Sequence, residues 1–82
     1  MGKQKETIGE IVKNARLELG LSQGEVAQKA SIQQSYLSRI ERDEGRPSTI
    51  YVIEKIASVL KLDAEKLIKL LEIERFKYNK IV

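Results

Sequence analysis

The sequence of 82 residues contains no cysteine, no histidine and only one proline. Without cysteine the chain can form no disulfide bond and offers no thiolate. Without histidine it lacks the commonest general base and the commonest metal ligand, so a serine nucleophile would have only lysine to activate it. These absences predict a protein that is not an enzyme, binds no metal and needs no cofactor.

Long apolar runs are also missing from the sequence. No stretch approaches the roughly 18 apolar residues that a membrane span needs, and residues 1–7 lack the apolar core of a signal peptide. No run of alternating β-branched residues between turns indicates a strand. We therefore expect a cytoplasmic protein that has no membrane contact and no β-sheet.

The chain does contain apolar residues at helical spacing. Hydrophobic residues make up 41% of the sequence, enough for one small domain with a thin core. Capping residues precede the helices at Thr7, Ser22 and Asp63, and either Ser48 or Thr49 caps the fourth. The pattern predicts an all-α fold of five helices, over about residues 7–19, 22–30, 33–42, 49–60 and 63–82.

Two of these helices carry clear apolar stripes, which predict the sides that face the core. The stripe of the first helix is Ile8, Ile11, Val12, Ala15 and Leu19, and that of the fourth is Ile50, Ile53, Ile56, Ala57 and Leu60. Leu17 lies off the first stripe, either as an isolated exposed residue or as a contact for a partner.

Residues 21–42 carry the most informative pattern, two short helices separated by a break at residues 30–32. The side of the second helix that lacks large apolar residues combines amides, hydroxyls and guanidinium groups: Gln33, Gln34, Ser35, Ser38, Arg39 and Arg42. Such groups hydrogen-bond base edges and phosphates. The pattern favours a helix-turn-helix that binds DNA, and a solvated polar face is the alternative interpretation.

The charge of this region counts against that hypothesis. The net charge of the chain is only +3, and residues 22–46 hold four basic and four acidic side chains. Phosphate contacts require local positive charge. We therefore expect Arg39 and Arg42 to face outward while Glu41 is buried and paired.

Several motifs match the spacing of a known family: Leu21-Ser22-Gln23, Glu25-Val26-Ala27, Ile32, Ser35-Tyr36-Leu37-Ser38-Arg39-Ile40-Glu41-Arg42, Pro47-Ser48, Lys55-Ile56-Ala57 and Val59-Leu60. In these the chain resembles the helix-turn-helix domains of Cro/C1-type phage repressors, also called the xenobiotic-response-element family. The resemblance implies a lambda-repressor-like domain over residues 7–71. Residues 1–6 would then be a flexible N-terminus, and residues 72–82 a C-terminal helical extension.

The resemblance also implies roles for individual side chains. Those expected to read bases are Gln33, Gln34, Ser35 and Arg39, and those expected to contact phosphates are Gln23, Ser38, Arg42 and Arg46. Arg16 and Glu41 match a pair that forms a partly buried salt bridge between the first and third helices in some members. Ser31 and Gln33 depart from the family, which usually has glycine and a serine or threonine cap there, so the start of the third helix is open by about one residue.

These expectations imply a sequence-specific transcriptional regulator, a repressor that binds double-stranded DNA as a homodimer on a pseudo-palindromic operator, without a small-molecule effector. Ile73, Phe76 and Ile81 are the expected dimer contacts, unless the extension covers the core of a monomer. A restriction–modification controller or an antitoxin-type autoregulator fits the length equally well. The alternative from a different class is a protein-interaction module that has this fold but binds no DNA.

Overall fold

A computed structural model describes residues 6–45, 47 and 49–81, with side chains through Glu74. Five helices follow one another: α1 (Ile8–Glu18), α2 (Gln23–Ala30), α3 (Gln34–Glu41), α4 (Ile50–Leu60) and α5 (Ala64–Ile81). Strands are absent from the residues so described, and the prediction of an all-α fold is confirmed. None of these described helices is long and apolar enough to cross a bilayer. Residues 1–5, which belong to the expected flexible N-terminus, lie outside the described residues.

Local hydrogen bonds set the helix starts. At α1 the Thr7 hydroxyl accepts the Glu10 N–H at 3.1 Å, and the Glu10 carboxylate accepts the Thr7 N–H at 3.2 Å. Ser22 and Glu25 form the same reciprocal capping box at α2. Thr49 is the residue that caps α4. Each box satisfies two backbone donors that a helix start would otherwise leave without partners.

Four residues with left-handed backbones end the first four helices: Gly20, Ser31, Asp43 and Lys61, with φ angles of 72°, 59°, 60° and 59°. Each donates its N–H to the carbonyl three residues back, and the next residue donates to the carbonyl five residues before it. This Schellman arrangement satisfies carbonyls at a helix end. Ser31 therefore closes α2 rather than capping α3. The N-cap of α3 is Gln33, whose side chain makes no capping hydrogen bond.

The core lies where all five helices meet, and its buried members are Ile8, Val12, Val26, Ala27, Ala30, Leu37, Ile40, Ile53, Ile56, Ala57, Leu60, Leu67 and Leu71. Of the predicted stripes, Ile11 and Ala15 are partly buried and pack against this core. Leu19 and Ile50 do not join it, because they are 41% and 50% exposed. Those two predictions are wrong. Leu19 lies just past the end of α1 and Ile50 is the first residue of α4, where neighbouring helices no longer cover the stripe.

Stability should depend on pH through the capping box of α2. The pKa of the Glu25 carboxyl is lowered from its ordinary value of 4.5, chiefly because it accepts the backbone N–H of Ser22. A lowered pKa in the folded state gives a stabilisation that is present above the ordinary value and is lost as the pH falls through the lowered one. The difference in melting temperature between the wild type and Glu25→Gln should therefore be largest near neutral pH and vanish in acid. The exposed Glu54→Gln variant is the control, and a difference that does not change with pH contradicts the expectation.

Candidate nucleic-acid interface

One side of α3 is buried against α1 and α2 and the other faces solvent. Leu37 and Ile40 are fully buried. The opposite side presents a row of polar side chains that we call the α3 face: Gln33, Gln34, Ser35, Ser38, Arg39 and Arg42. Ser38 is half-buried and the other five are exposed. The structure thus leaves the four residues that were expected to read bases open to a ligand.

The first turns of α2 and α3 lie side by side. A β-carbon on Gly24 would lie 3.4 Å from Gln34 Oε1, so the Gln34 amide rests beside the backbone of α2. Gln23 immediately precedes Gly24 as the first residue of α2. The two glutamines are therefore held at adjacent helix starts and can approach one ligand together.

A buried ion pair fixes α3 against α1. Arg16 Nε lies 2.7 Å from Glu41 Oε2, and the two side chains are only 11% and 2% exposed. Arg16 Nη2 donates to Glu41 Oε1 at 3.0 Å, and Arg16 Nη1 donates to the Leu21 carbonyl at 3.0 Å. The hydrogen bond to the Glu41 carboxylate raises the pKa of the Arg16 guanidinium. This pair joins α1, the turn that follows it and the end of α3.

Gln23 extends the ion pair to α2. Its Nε2 donates to Glu41 Oε1 at 3.0 Å, so one N–H of the amide is used inside the protein. The other N–H remains to donate to a phosphate, and the amide oxygen can accept a hydrogen bond from water. The residue that was expected to contact a phosphate is therefore oriented by the same carboxylate that holds Arg16.

A second tie between α1 and α3 gives no recognisable signal in the sequence. Asp43 follows α3, and its carboxylate accepts the Thr7 hydroxyl at 2.7 Å and the Gly9 N–H at 3.2 Å. The backbones also approach closely, because a β-carbon on Gly9 would lie 2.4 Å from the Ile40 carbonyl oxygen. The end of α3 is therefore clamped onto the start of α1.

Arg42 is engaged by two side chains of its own segment. Its guanidinium donates to the Ser38 hydroxyl and, at 3.0 Å, to Glu44 Oε1. The side chains of Arg42 and Glu44 are 54% and 58% exposed. The hydrogen bond between them raises the pKa of Arg42 and lowers the pKa of Glu44. Arg46, which was also expected to contact a phosphate, lies outside the described residues.

The four acids of residues 22–46 therefore differ in what they do. Glu41 neutralises Arg16, Glu25 closes the capping box of α2, and Asp43 lies at the N-terminus of α1, where the helix dipole favours a negative charge. Glu44 pairs with Arg42 beside the α3 face. Three of the four acids are thus used at helix starts or in the buried ion pair. The α3 face is therefore more basic than the net charge of residues 22–46 suggests.

The described residues hold no group of three or more side chains that could bind a metal ion. The chemistry of the α3 face is that of hydrogen-bond donors and acceptors around two guanidinium groups. Amides and guanidinium groups make bidentate hydrogen bonds to purine edges, and guanidinium groups also bind phosphates.

Known proteins share this sequence pattern. A helix-turn-helix family profile matches residues 12–67. The HTH-type transcriptional regulator SinR of Bacillus subtilis is 39% identical over 61 residues, which are 74% of this chain and 55% of SinR. The immunity repressor protein of Bacillus phage phi105 is 34% identical over 76 residues, which are 89% of this chain and 52% of the repressor. The chain thus spans about half the length of these curated relatives.

Solved structures share the fold. A crystal structure of SinR in complex with DNA matches with a TM-score of 0.69 and 39% identity, and covers 76% of this chain and 98% of that one. The restriction–modification controller protein C.AhdI from Aeromonas hydrophila matches with a TM-score of 0.66 and 28% identity, and covers 73% of this chain and 89% of that one. Over the matched part of the chain, the helices are therefore arranged as in both of these proteins.

Proposed function

The chain belongs to the Cro/C1-type helix-turn-helix family, and from that premise we propose that it is a sequence-specific DNA-binding transcriptional regulator. In this proposal α3 enters the major groove, where each base pair presents a distinct pattern of donors and acceptors. Gln33, Gln34, Ser35 and Arg39 read base edges. Gln23, Ser38, Arg42 and Arg46 contact the phosphates that flank them.

The observation that carries the proposal is that hydrogen bonds hold α3 against α1 and α2 while its polar face stays exposed. A side chain that reads a base must be held by packing and hydrogen bonds, because a small misplacement removes its contact. Here Glu41 binds Arg16 of α1 and Gln23 of α2 at once, and Asp43 binds the start of α1. The opposite side of the same helix is left exposed with amides and guanidinium groups.

The two arginines of the α3 face should behave differently when they are replaced. Arg39→Ala is expected to remove about 1–3 kcal/mol of discrimination at one base pair, so the wild-type preference at that position disappears. Arg42→Ala is expected to weaken binding to all sequences by a similar factor, because a phosphate contact carries no sequence information. Fluorescence anisotropy with a panel of single-substitution duplexes measures both. Equal changes in the two variants across the panel contradict the assigned roles.

We further propose that the chain represses transcription from a two-fold operator. It would bind there as a homodimer formed through residues 72–82. Ile73 is 49% exposed and lines an apolar groove between α1 and α5, together with Glu6, Thr7, Ile11, Lys66, Leu70 and Glu74. A two-fold dimer would cover this surface and place two copies of α3 about 34–36 Å apart, on successive major grooves. The side chains of Phe76 and Ile81, which we expect to join the interface, lie outside the described residues.

Sedimentation equilibrium tests the dimer. The wild type should be dimeric at micromolar concentration, and Ile73→Lys should shift it toward monomer, because a charge in an apolar interface is costly. Ile50→Lys is the matched control, since Ile50 is an isoleucine of the same exposure, 50%, at the start of α4. A wild-type monomer at high micromolar concentration contradicts the proposed interface.

A restriction–modification controller is the second candidate, and the likeness to C.AhdI favours it. This candidate function requires the same fold, the same α3 face and the same dimer as the first. Only the operator would differ. The two candidates are distinguished by the genes next to the selected DNA site. A protein-interaction module without DNA binding is the alternative that the binding experiments test.

A further inference from the structure

Glu44 differs from the other acids near the α3 face. Glu25, Glu41 and Asp43 accept hydrogen bonds that start, join or clamp helices. Glu44 bonds instead to the guanidinium of Arg42 at 3.0 Å, two residues away along the chain. Both side chains are more than half exposed, so the pair adds little to the stability of the fold.

The backbone turn at Asp43 creates this pair. Asp43 is left-handed with a φ of 60°, and the Glu44 N–H donates to the Arg39 carbonyl at 2.9 Å. The turn brings the Glu44 carboxylate back to the last turn of α3, where it also feels the positive charge of Arg39. The carboxylate thus lies close to Arg42, the arginine proposed to contact a phosphate, and within the field of Arg39, the arginine proposed to read a base.

A carboxylate and a phosphate make the same kind of bond to a guanidinium, since both present oxygens that accept two parallel N–H donors. Glu44 uses one of the two N–H donors of Arg42 Nη2, and Ser38 uses one of the two donors of Nη1. A phosphate that binds through the same Nη2 donor must displace Glu44, and a phosphate that binds through the remaining donors is repelled by the adjacent carboxylate.

We propose that Glu44 is an internal competitor of DNA, which occupies Arg42 in the free protein and lowers the affinity for the phosphate backbone. The inference rests on the proposed DNA-binding function and names a residue that sets the strength of that binding. Because the competition is at a phosphate contact, Glu44 lowers the affinity for every sequence by the same factor and leaves the sequence preference unchanged.

A double-mutant cycle tests the proposal by fluorescence anisotropy at fixed salt, with a duplex that carries the selected site and an unrelated duplex of equal length. Glu44→Gln keeps the shape of the side chain and removes its charge. It should tighten binding by roughly two- to fivefold per protomer, the range of an exposed ion pair, on both duplexes. In the Arg42→Gln background the same change should give a clearly smaller gain, because only the repulsion of the phosphate by the carboxylate is then relieved.

A control separates the ion pair from net charge. Glu65→Gln removes an exposed acid from α5, which packs against α1 and α4, and should leave the affinity unchanged. Circular dichroism should show the same melting temperature for Glu44→Gln and the wild type.

Three results would overturn the inference. An equal gain with and without Arg42 means that Glu44 acts by general repulsion, and the absence of any gain means that it does not compete; both leave DNA binding intact. If neither the wild type nor any variant binds duplex DNA, the proposed function fails and the inference fails with it.

Discussion

Replacing Glu41 with alanine should lower the free energy of unfolding by about 3–5 kcal/mol, the usual cost of removing one partner of a buried ion pair. The loss is large because Arg16 is only 11% exposed and would keep its charge without a partner. Gln23 would also lose the acceptor that holds its amide at 3.0 Å. Urea denaturation followed by circular dichroism measures the change.

Glu44→Ala is the matched control for this prediction. Glu44 also belongs to an ion pair with an arginine, but its side chain is 58% exposed. Exposed pairs contribute little, because water solvates both partners after the pair is broken. Glu44→Ala should therefore leave the stability nearly unchanged, and Glu41→Gln should fall between the two, since it keeps the shape and part of the hydrogen bonding. Equal midpoints for Glu41→Ala and Glu44→Ala would contradict the assigned role of Glu41.

Gly9→Ala should destabilise the protein by about 3 kcal/mol, near the upper end of the range for overpacking. The new β-carbon would lie 2.4 Å from the Ile40 carbonyl oxygen, 2.6 Å from Asp43 Oδ1 and 2.8 Å from the Glu41 carbonyl oxygen. Two of these atoms belong to the backbone of α3 and cannot rotate away. Helices α1 and α3 would have to separate, which would also weaken the hydrogen bond from the Gly9 N–H to Asp43.

Gly24→Ala tests whether the effect at Gly9 comes from close packing or from the loss of a glycine. Gly9 and Gly24 are each the second residue of a helix. A β-carbon on Gly24 would lie no nearer than 3.4 Å to another residue's atom, and alanine is the better helix former. We therefore expect Gly24→Ala to stabilise the protein by roughly 0.5–1 kcal/mol. A loss of similar size in both variants would contradict the close approach of α1 and α3.

The sequence was sufficient to predict the features that depend on neighbouring residues. The pattern of Thr7 and Glu10, repeated at Ser22 and Glu25, predicts two capping boxes, because a box involves residues only three apart. Helical spacing likewise predicts most of the core, because residues three or four apart lie on the same side of a helix. The stripes failed at Leu19 and Ile50, because spacing alone does not indicate where neighbouring helices stop covering a stripe.

The clamp of Asp43 on α1 could not be predicted in this way. Its donors, Thr7 and Gly9, lie 36 and 34 residues away along the chain. No local pattern marks an aspartate in a loop as the cap of a distant helix. The backbone of Ser31 posed a similar problem, since serine is uncommon in the left-handed region and only the fold shows that this turn adopts it.

The same distinction between local and long-range features applies to the candidate interface. Exposed polar residues on α3 could be identified from helical spacing, and the pairing of Arg16 with Glu41 was implied by the family resemblance. The hydrogen bond from Gln23 to Glu41 and the pairing of Glu44 with Arg42 depend on how the helices pack and on the left-handed turn at Asp43. These contacts determine which polar groups of Gln23 and Arg42 are already occupied and which remain for a ligand.

In vitro selection from a random duplex library tests the central claim, that the α3 face reads DNA sequence, most directly. The purified chain should enrich a two-fold motif whose half-sites are about one helical turn apart. The same selection with Arg39→Ala should return that motif with the preference at one position of each half-site removed. Enrichment of no motif by the wild type, or an unchanged motif with Arg39→Ala, would contradict the claim.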